Sequence, residues 1–153
     1  MKRNGELKMN IREVCNADAQ DIYDLYLEVM NYNYPVNKIE EMIRIVNKDH
    51  CNYVFVAVEH SQVIGVIEVV IKYSIHKDSY LIINTLAVLS KYQGQGIGSQ
   101  LLNYVEEFSK KMGLSSITLG SQFKREKAHH FYLSHDYQII KEHKIFEKTL
   151  NKN

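Results

Sequence analysis

Between a β-rich run ending at Leu89 and an amphipathic stretch beginning at Ser99, the chain places Gln93-Gly94-Gln95-Gly96-Ile97-Gly98, with three of its seven glycines at alternate positions. The run Tyr80–Leu89 is rich in β-branched and aromatic residues, and Leu101, Leu102, Val105, Phe108 and Met112 mark one helical face closed by Gly113. Strand, glycine turn and helix therefore follow in immediate order. A helix start presents N–H groups with no acceptor inside the helix and the positive end of its dipole. Absent side chains let an anion approach that backbone, so the turn reads as a phosphate cradle rather than a plain tight turn.

The remaining elements place this unit in a mixed α/β domain. Leu7 to Val14 alternates like a half-buried strand. A helix follows, with Asp18 as its cap candidate, an acid, Asp21, three residues on, and Ile22, Leu25, Tyr26 and Val29 at helical spacing. Pro35 ends that stretch, and a second helix capped at Asn37 runs through Ile39, Met42, Ile43 and Val46. Tyr53–Glu59 and Val63–Tyr73, joined by a short polar turn, predict an antiparallel hairpin. Beyond Gly113 come a short strand at Ser116–Leu119, a helix at Arg125–Ser134, and an alternating segment, Tyr137–Leu150, expected to close the sheet as a pair of strands. The order predicts a mixed, mostly antiparallel sheet of about six to seven strands with about four helices, in a single domain over residues 1–153.

Composition narrows the partners. A formal net charge of +1 lacks the basic excess that binding nucleic acid requires. No apolar run approaches the roughly 20 residues that span a bilayer, and no apolar stretch backs the basic N-terminus, so a cytoplasmic location without membrane attachment is expected. Cys15 and Cys51 lack metal-ligand spacing and read as small buried apolar groups, and no metal is expected. Charge is unevenly distributed. Glu13 to Glu41 holds seven acids against one lysine, whereas Lys110 to Lys148 holds eight Lys or Arg against four acids. That asymmetry suits a cation at one end and an anion at the other, although solvated helix faces explain either segment equally well.

Known phosphate loops narrow the reading further. A nucleoside-triphosphate loop requires lysine after its last glycine, where Ser99 stands, and a dinucleotide fingerprint requires a third glycine there and an acid near Leu119. Neither fits, leaving a phosphate or pyrophosphate held by a loop that follows an antiparallel-fed strand.

The stretch from Asn84 to Leu102, with Gln93, Gly96 and Gly98 spaced as Gln, two residues, Gly, one residue, Gly, resembles the acetyl-CoA motif of the GNAT superfamily of N-acetyltransferases. A second block, Arg125-Glu126-Lys127-Ala128-His129-His130-Phe131-Tyr132, resembles that family's later helix, and Met9–Glu13 resembles its opening, making residues 1–8 an expected extension. The resemblance covers nearly the whole chain in matching element order.

It implies acetyl-CoA as co-substrate and transfer of its acetyl group to a primary amine of a small molecule by direct attack in a ternary complex. The backbone of Leu86, Ala87 and Val88 would pair with the pantetheine arm, with the Val88 N–H facing the thioester oxygen. The N–H groups of Gln93, Gly94, Gln95, Gly96, Ile97, Gly98 and Ser99 would hold the pyrophosphate, with Arg125 as a further coenzyme contact. By its place in the motif Tyr132 is the general acid near the coenzyme sulfur, against the alternative of simple core packing. Many relatives carry a Glu on the strand before the loop, where this chain has Ile82, Ile83 and Asn84. Asn84 orienting a water, and Glu68 on the preceding strand, are then the candidates for proton removal, provided Glu68 faces the cleft. Tyr26, Glu28, Tyr32 and Tyr34 are the candidate acceptor-binding residues, because acids and aromatic rings suit an ammonium. A protein lysine or N-terminal acetyltransferase and a non-catalytic acyl-CoA sensor remain the competing readings, and a homodimer is compatible with all of them.

Overall fold

The computed structural model describes residues 9–151, in two compact units divided between Gly120 and Ser121. The expected extension, residues 1–8, lies outside the described residues, as do residues 7 and 8 of the expected first strand.

The first unit is built on one five-stranded sheet in sequence order: β1 (Asn10–Glu13), β2 (Asn52–Glu59), β3 (Gln62–Lys72), β4 (Tyr80–Val88) and β5 (Ile117–Leu119). The first four strands are antiparallel neighbours, and β5 runs parallel to β4. Helices α1 (Ala19–Met30) and α2 (Val36–Lys48) lie between β1 and β2, and α3 (Ile97–Lys111) makes the crossover from β4 to β5. The mixed α/β class and mostly antiparallel sheet agree with the sequence reading. The strand count is lower than the six to seven expected.

The shortfall lies in the second unit, where α4 (Glu126–Ser134) forms as predicted but residues 137–151 adopt neither helix nor strand. Ile139, Ile140, Ile145 and Phe146 stand exposed there, each more than 70% accessible. Alternation marks a segment that can pair, but a lone two-stranded hairpin without a packing face is marginal in water. Asp136, which ends α4, takes the left-handed conformation at φ 68°, which Asp tolerates better than most residues.

Local chemistry explains the turns. β2 and β3 are joined by His60 and Ser61, both at positive φ (52° and 62°), in the two-residue geometry that matches the twist of a hairpin. Asn31 ends α1 in the left-handed region, and the Tyr32 N–H bonds back to the Tyr26 carbonyl at 3.1 Å.

Two expected caps differ. Asp18 holds the N-cap position of α1 as expected, but its side chain makes no cap bond there and closes the preceding 3-10 turn instead: the carboxylate accepts from the Cys15 N–H at 2.8 Å and from both Arg12 nitrogens at 2.8 and 2.9 Å. Asn37 lies inside α2, which begins at Val36 behind Pro35, whose fixed φ suits a helix entry.

Side chains of α1 tie it to the sheet at several heights. Asp21 accepts from the Val63 N–H at 3.0 Å, Tyr26 donates to Glu68, and Glu28 accepts from the Ser90 N–H at 2.9 Å. On the other face, α3 packs closely over β3 because residue 65 is glycine: a Cβ there would lie 3.0 Å from Leu101 Cδ1 and 3.3 Å from Ile97 Cγ2. The core on that side contains Ile67, Val69, Leu101, Leu102 and Val105, all nearly inaccessible.

Candidate functional site

The glycine loop joins β4 to α3 through a short 3-10 turn at Ser90–Tyr92. Gly94 and Gly96 sit at φ 79° and 84°, and nothing lies within 4 Å of where a Cβ would stand at either position. Gly96 caps α3 with no side-chain hydrogen bond, and its carbonyl takes the first helical bond, from Gln100 N–H at 3.0 Å. The two glutamines turn inward to brace the loop. Gln93 Nε2 donates to the Val88 carbonyl at 2.9 Å, and Gln95 Nε2 donates to the Lys91 carbonyl at 3.1 Å. Ile97 is buried and anchors the helix start, with Gly98 and Ser99 in the first turn.

On the β4 edge away from β3, β5 pairs only with Leu81, Ile82 and Ile83. Among the described residues no strand continues that edge along Asn84–Val88. Leu86 is half-buried and Ala87 and Val88 are buried, so what this stretch offers a ligand is backbone. Acetyl-CoA fits these residues on the structure's own terms: an open, side-chain-free turn at a helix N-terminus for its phosphates, beside a strand edge for an extended amide-bearing arm.

The opposite face of the sheet holds a cavity of about 660 Å³ walled by α1, the turn after it, α2, and the faces of β2 and β3. Along β3 side chains alternate, so Gly65 meets α3 whereas Val66 and Glu68 line the cavity. Glu68 therefore faces a recess and not bulk solvent. Its Oε2 accepts a short hydrogen bond from the Tyr26 hydroxyl. Burial first, and then the charge of Glu68, push the Tyr26 phenol well above its ordinary range, so it remains a donor.

Tyr26, Tyr32 and Tyr34 all line this cavity, with the Tyr26 and Tyr32 rings edge to face at 5.8 Å. Glu28 does not line it. Its exposed carboxylate holds the Ser90 N–H at the entry to the glycine loop, and that bond keeps its pKa below the usual carboxylate range.

Asn84 and Glu68 are not partners across the sheet. The register passes from Glu68 opposite Thr85 to Val69 opposite Ile83, so Asn84 is the extra, exposed residue of a β-bulge. Thr85 thereby becomes the residue facing Glu68. Sequence reasoning missed it, because a bulge leaves no mark in an alternation pattern. It also treated Ile39, Met42 and Ile43 only as helix-core positions, although all three line the cavity.

Within the second unit, exposed Arg125 precedes the first turn of α4. Tyr132 lies half-buried on that helix, its ring 5.2 Å from Phe131 and 5.8 Å from Tyr137. Burial raises its phenol pKa, partly offset by the charge of Arg125.

Among the described residues no group of three or more His, Cys, Asp or Glu side chains is placed to hold a metal ion, and no helix is long and apolar enough to cross a membrane.

Comparison with known proteins decides the family. The model of the Acetyltransferase (GNAT) family matches residues 19–137. The chain belongs to this family. As a GNAT protein it is an acetyl-CoA-dependent N-acetyltransferase. The chain is 28% identical to the aminoalkylphosphonate N-acetyltransferase of Salmonella typhimurium, over 92% of this chain and 90% of that protein. Its fold matches a transcriptional regulator from Bacillus halodurans (TM-score 0.84, 21% identity, 92% of this chain and 100% of the other). It also matches the aminoglycoside N-acetyltransferase AAC(6')-Iy in complex with CoA (TM-score 0.83, 13% identity, 97% and 100%). At these identities the two solved structures speak for the fold alone.

Proposed function

We propose that this GNAT enzyme acetylates the primary amine of a small molecule held in the cavity between α1, α2 and the sheet, by direct attack in a ternary complex. The observation that carries the reading is Glu68: the one charged side chain lining a recess of mostly aliphatic and aromatic residues, held by the Tyr26 hydroxyl. The volume of about 660 Å³ suits a small molecule. Relatedness to an enzyme named for aminoalkylphosphonates, which are small amines, supports the same class of acceptor.

When bound, acetyl-CoA supplies an activated acetyl thioester. The residues then divide the work. Gly94 to Ser99 hold the phosphates with backbone N–H groups while Gln93 and Gln95 brace the turn, and Arg125 adds positive charge for the coenzyme. Leu86, Ala87 and Val88 offer backbone to the extended arm, the Val88 N–H serving the acyl oxygen. Glu68 attracts the ammonium of the acceptor and takes its proton, leaving a neutral nucleophile, while Tyr26 fixes the carboxylate's orientation. Tyr132 holds a proton on Oη for the departing sulfur, a role supported by its place in the family motif and by the burial that keeps the phenol protonated.

Glu68→Gln tests this reading, because the amide keeps the shape and can still accept from Tyr26. Steady-state assays should show kcat falling by roughly 10²–10⁴ with the KM for acetyl-CoA unchanged. An unchanged kcat would remove Glu68 from proton transfer.

A further inference from the structure

More than half of the cavity's lining residues are aliphatic, and four of its polar side chains, Tyr23, Asn33, Tyr26 and Glu68, are bonded to one another in pairs. Glu68 is the one charged side chain among its lining residues, and no Lys or Arg is among them. Lys38, whose ammonium lies 5.9 Å from the centre of the Tyr34 ring, is outside that lining. The Tyr26 hydroxyl is spent on Glu68, and the Tyr23 hydroxyl donates to Asn33 Oδ1 at 2.7 Å. What these side chains offer an occupant is ring face, continued by the apolar walls of Ile39, Met42, Ile43, Val46, Val54 and Val66. A phosphonate would find no Lys or Arg in the lining and would share the space with a carboxylate. A polyhydroxylated polyamine would bury hydroxyls against apolar walls, and each unpartnered hydroxyl costs on the order of 1–3 kcal/mol.

From this we infer that the preferred acceptor is a primary monoamine with an aromatic or alkyl body, its ammonium at Glu68 and its body against the tyrosine rings and α2. The inference rests on the cavity being the acceptor site. An ammonium beside a carboxylate and aromatic faces is stabilised by charge and by the ring quadrupoles, while the body gains by leaving water. In the reaction the N–C bond forms as the thioester C–S bond breaks. Of the two protons the ammonium loses, one goes to Glu68 and on to solvent, and the other balances the thiol formed at sulfur.

Release of coenzyme thiol by the full chain tests this, with acetyl-CoA and a panel of acceptors: ethylamine, propylamine, butylamine, hexylamine, 2-phenylethylamine, 2-aminoethylphosphonate, kanamycin, spermidine and a lysine peptide. kcat/KM should rise about fourfold per added methylene along the alkylamines, the ~0.8 kcal/mol of burying one CH₂. 2-Phenylethylamine should exceed 2-aminoethylphosphonate by at least about a hundredfold. Met42→Asp, at a partly exposed helix position on the cavity wall, should lower kcat/KM for hexylamine by about tenfold and for ethylamine far less.

Faster turnover of the phosphonate, kanamycin, spermidine or the peptide than of the apolar monoamines overturns the inference while leaving the enzyme an N-acetyltransferase. A flat chain-length series overturns it too. No thiol release with any acceptor, from chain shown by thermal shift to bind acetyl-CoA, overturns the proposed function, and this inference falls with it.

Discussion

The Tyr26 hydroxyl donates to Glu68 Oε2 from a helix 42 residues earlier in the chain, so the first helix and the third strand are joined at the wall of the cavity. The bond does two things. It satisfies a half-buried carboxylate and fixes where that carboxylate points.

Tyr26→Phe removes the donor and leaves the ring in place. Denaturant unfolding should show a loss of about 1–2 kcal/mol, and kcat/KM for the amine should fall by roughly tenfold or more, with the KM for acetyl-CoA unchanged. The pH dependence has a defined sign. A phenol whose folded pKa is raised contributes stability that is fully present below its ordinary value of 10.0 and is lost as pH rises towards the folded value. Unfolding titrations above pH 10 should thus show a steeper alkaline limb in the parent chain than in Tyr26→Phe.

Gly96→Asn tests the donor loop, because Asn tolerates a positive φ while adding a side chain to the open approach above the turn. Isothermal titration should show coenzyme A binding at least about tenfold weaker, with a melting temperature within a few degrees of the parent. Unaltered affinity would take phosphate binding away from this loop.

Tyr132→Phe should lower kcat by roughly 10–10³ while leaving coenzyme affinity nearly unchanged, as measured by rapid-quench or thiol-release kinetics beside a binding titration. A rate equal to the parent's would assign Tyr132 to packing with Phe131 and Tyr137.

Asp18→Asn addresses stability away from the chemistry. Burial acts to raise the Asp18 pKa, but the hydrogen bonds from Arg12 and the Cys15 N–H outweigh it and hold the carboxyl below its ordinary value of 3.8. Its stabilisation is then present above that value and lost as pH falls through the folded one. The variant should be less stable by about 1–3 kcal/mol at pH 7, and the gap should close in acid-unfolding curves as pH falls below 3.8 and through the lower folded value.

Residues 9–120 were largely legible, because hydrophobic periods of 2 and 3.6 are imposed by burial and burial decides these elements. The β2–β3 hairpin and the strand-glycine-helix unit formed where β-branched runs and glycines placed them. The errors lie where tertiary contacts override local chemistry. Asp18 prefers Arg12 and the Cys15 N–H to the first turn of α1, and Pro35 opens α2 before Asn37 can cap it. A bulge at Asn84 moved Thr85 into the place opposite Glu68. Tyr137–Leu150 has the alternation of strands, but β-propensity expresses a fit to a neighbouring pleated surface rather than a backbone preference. In the candidate site, the orientation of Glu68 followed from alternation once the buried face was known. The role of Glu28 did not, because its bond to Ser90 N–H spans 62 positions and no local pattern encodes it.

The close seat of α3 on Gly65 occupies one side of the sheet, while Val66 and Glu68, on the same strand, look into the cavity on the other. With the coenzyme and the amine held as proposed, donor and acceptor recognition are separate modules sharing a thin wall. Substitutions in α2 and in the turn after α1 can retune which amine enters without touching the hook that holds the coenzyme. Such a chain can change its substrate over evolutionary time in small viable steps, each inheriting an intact donor site.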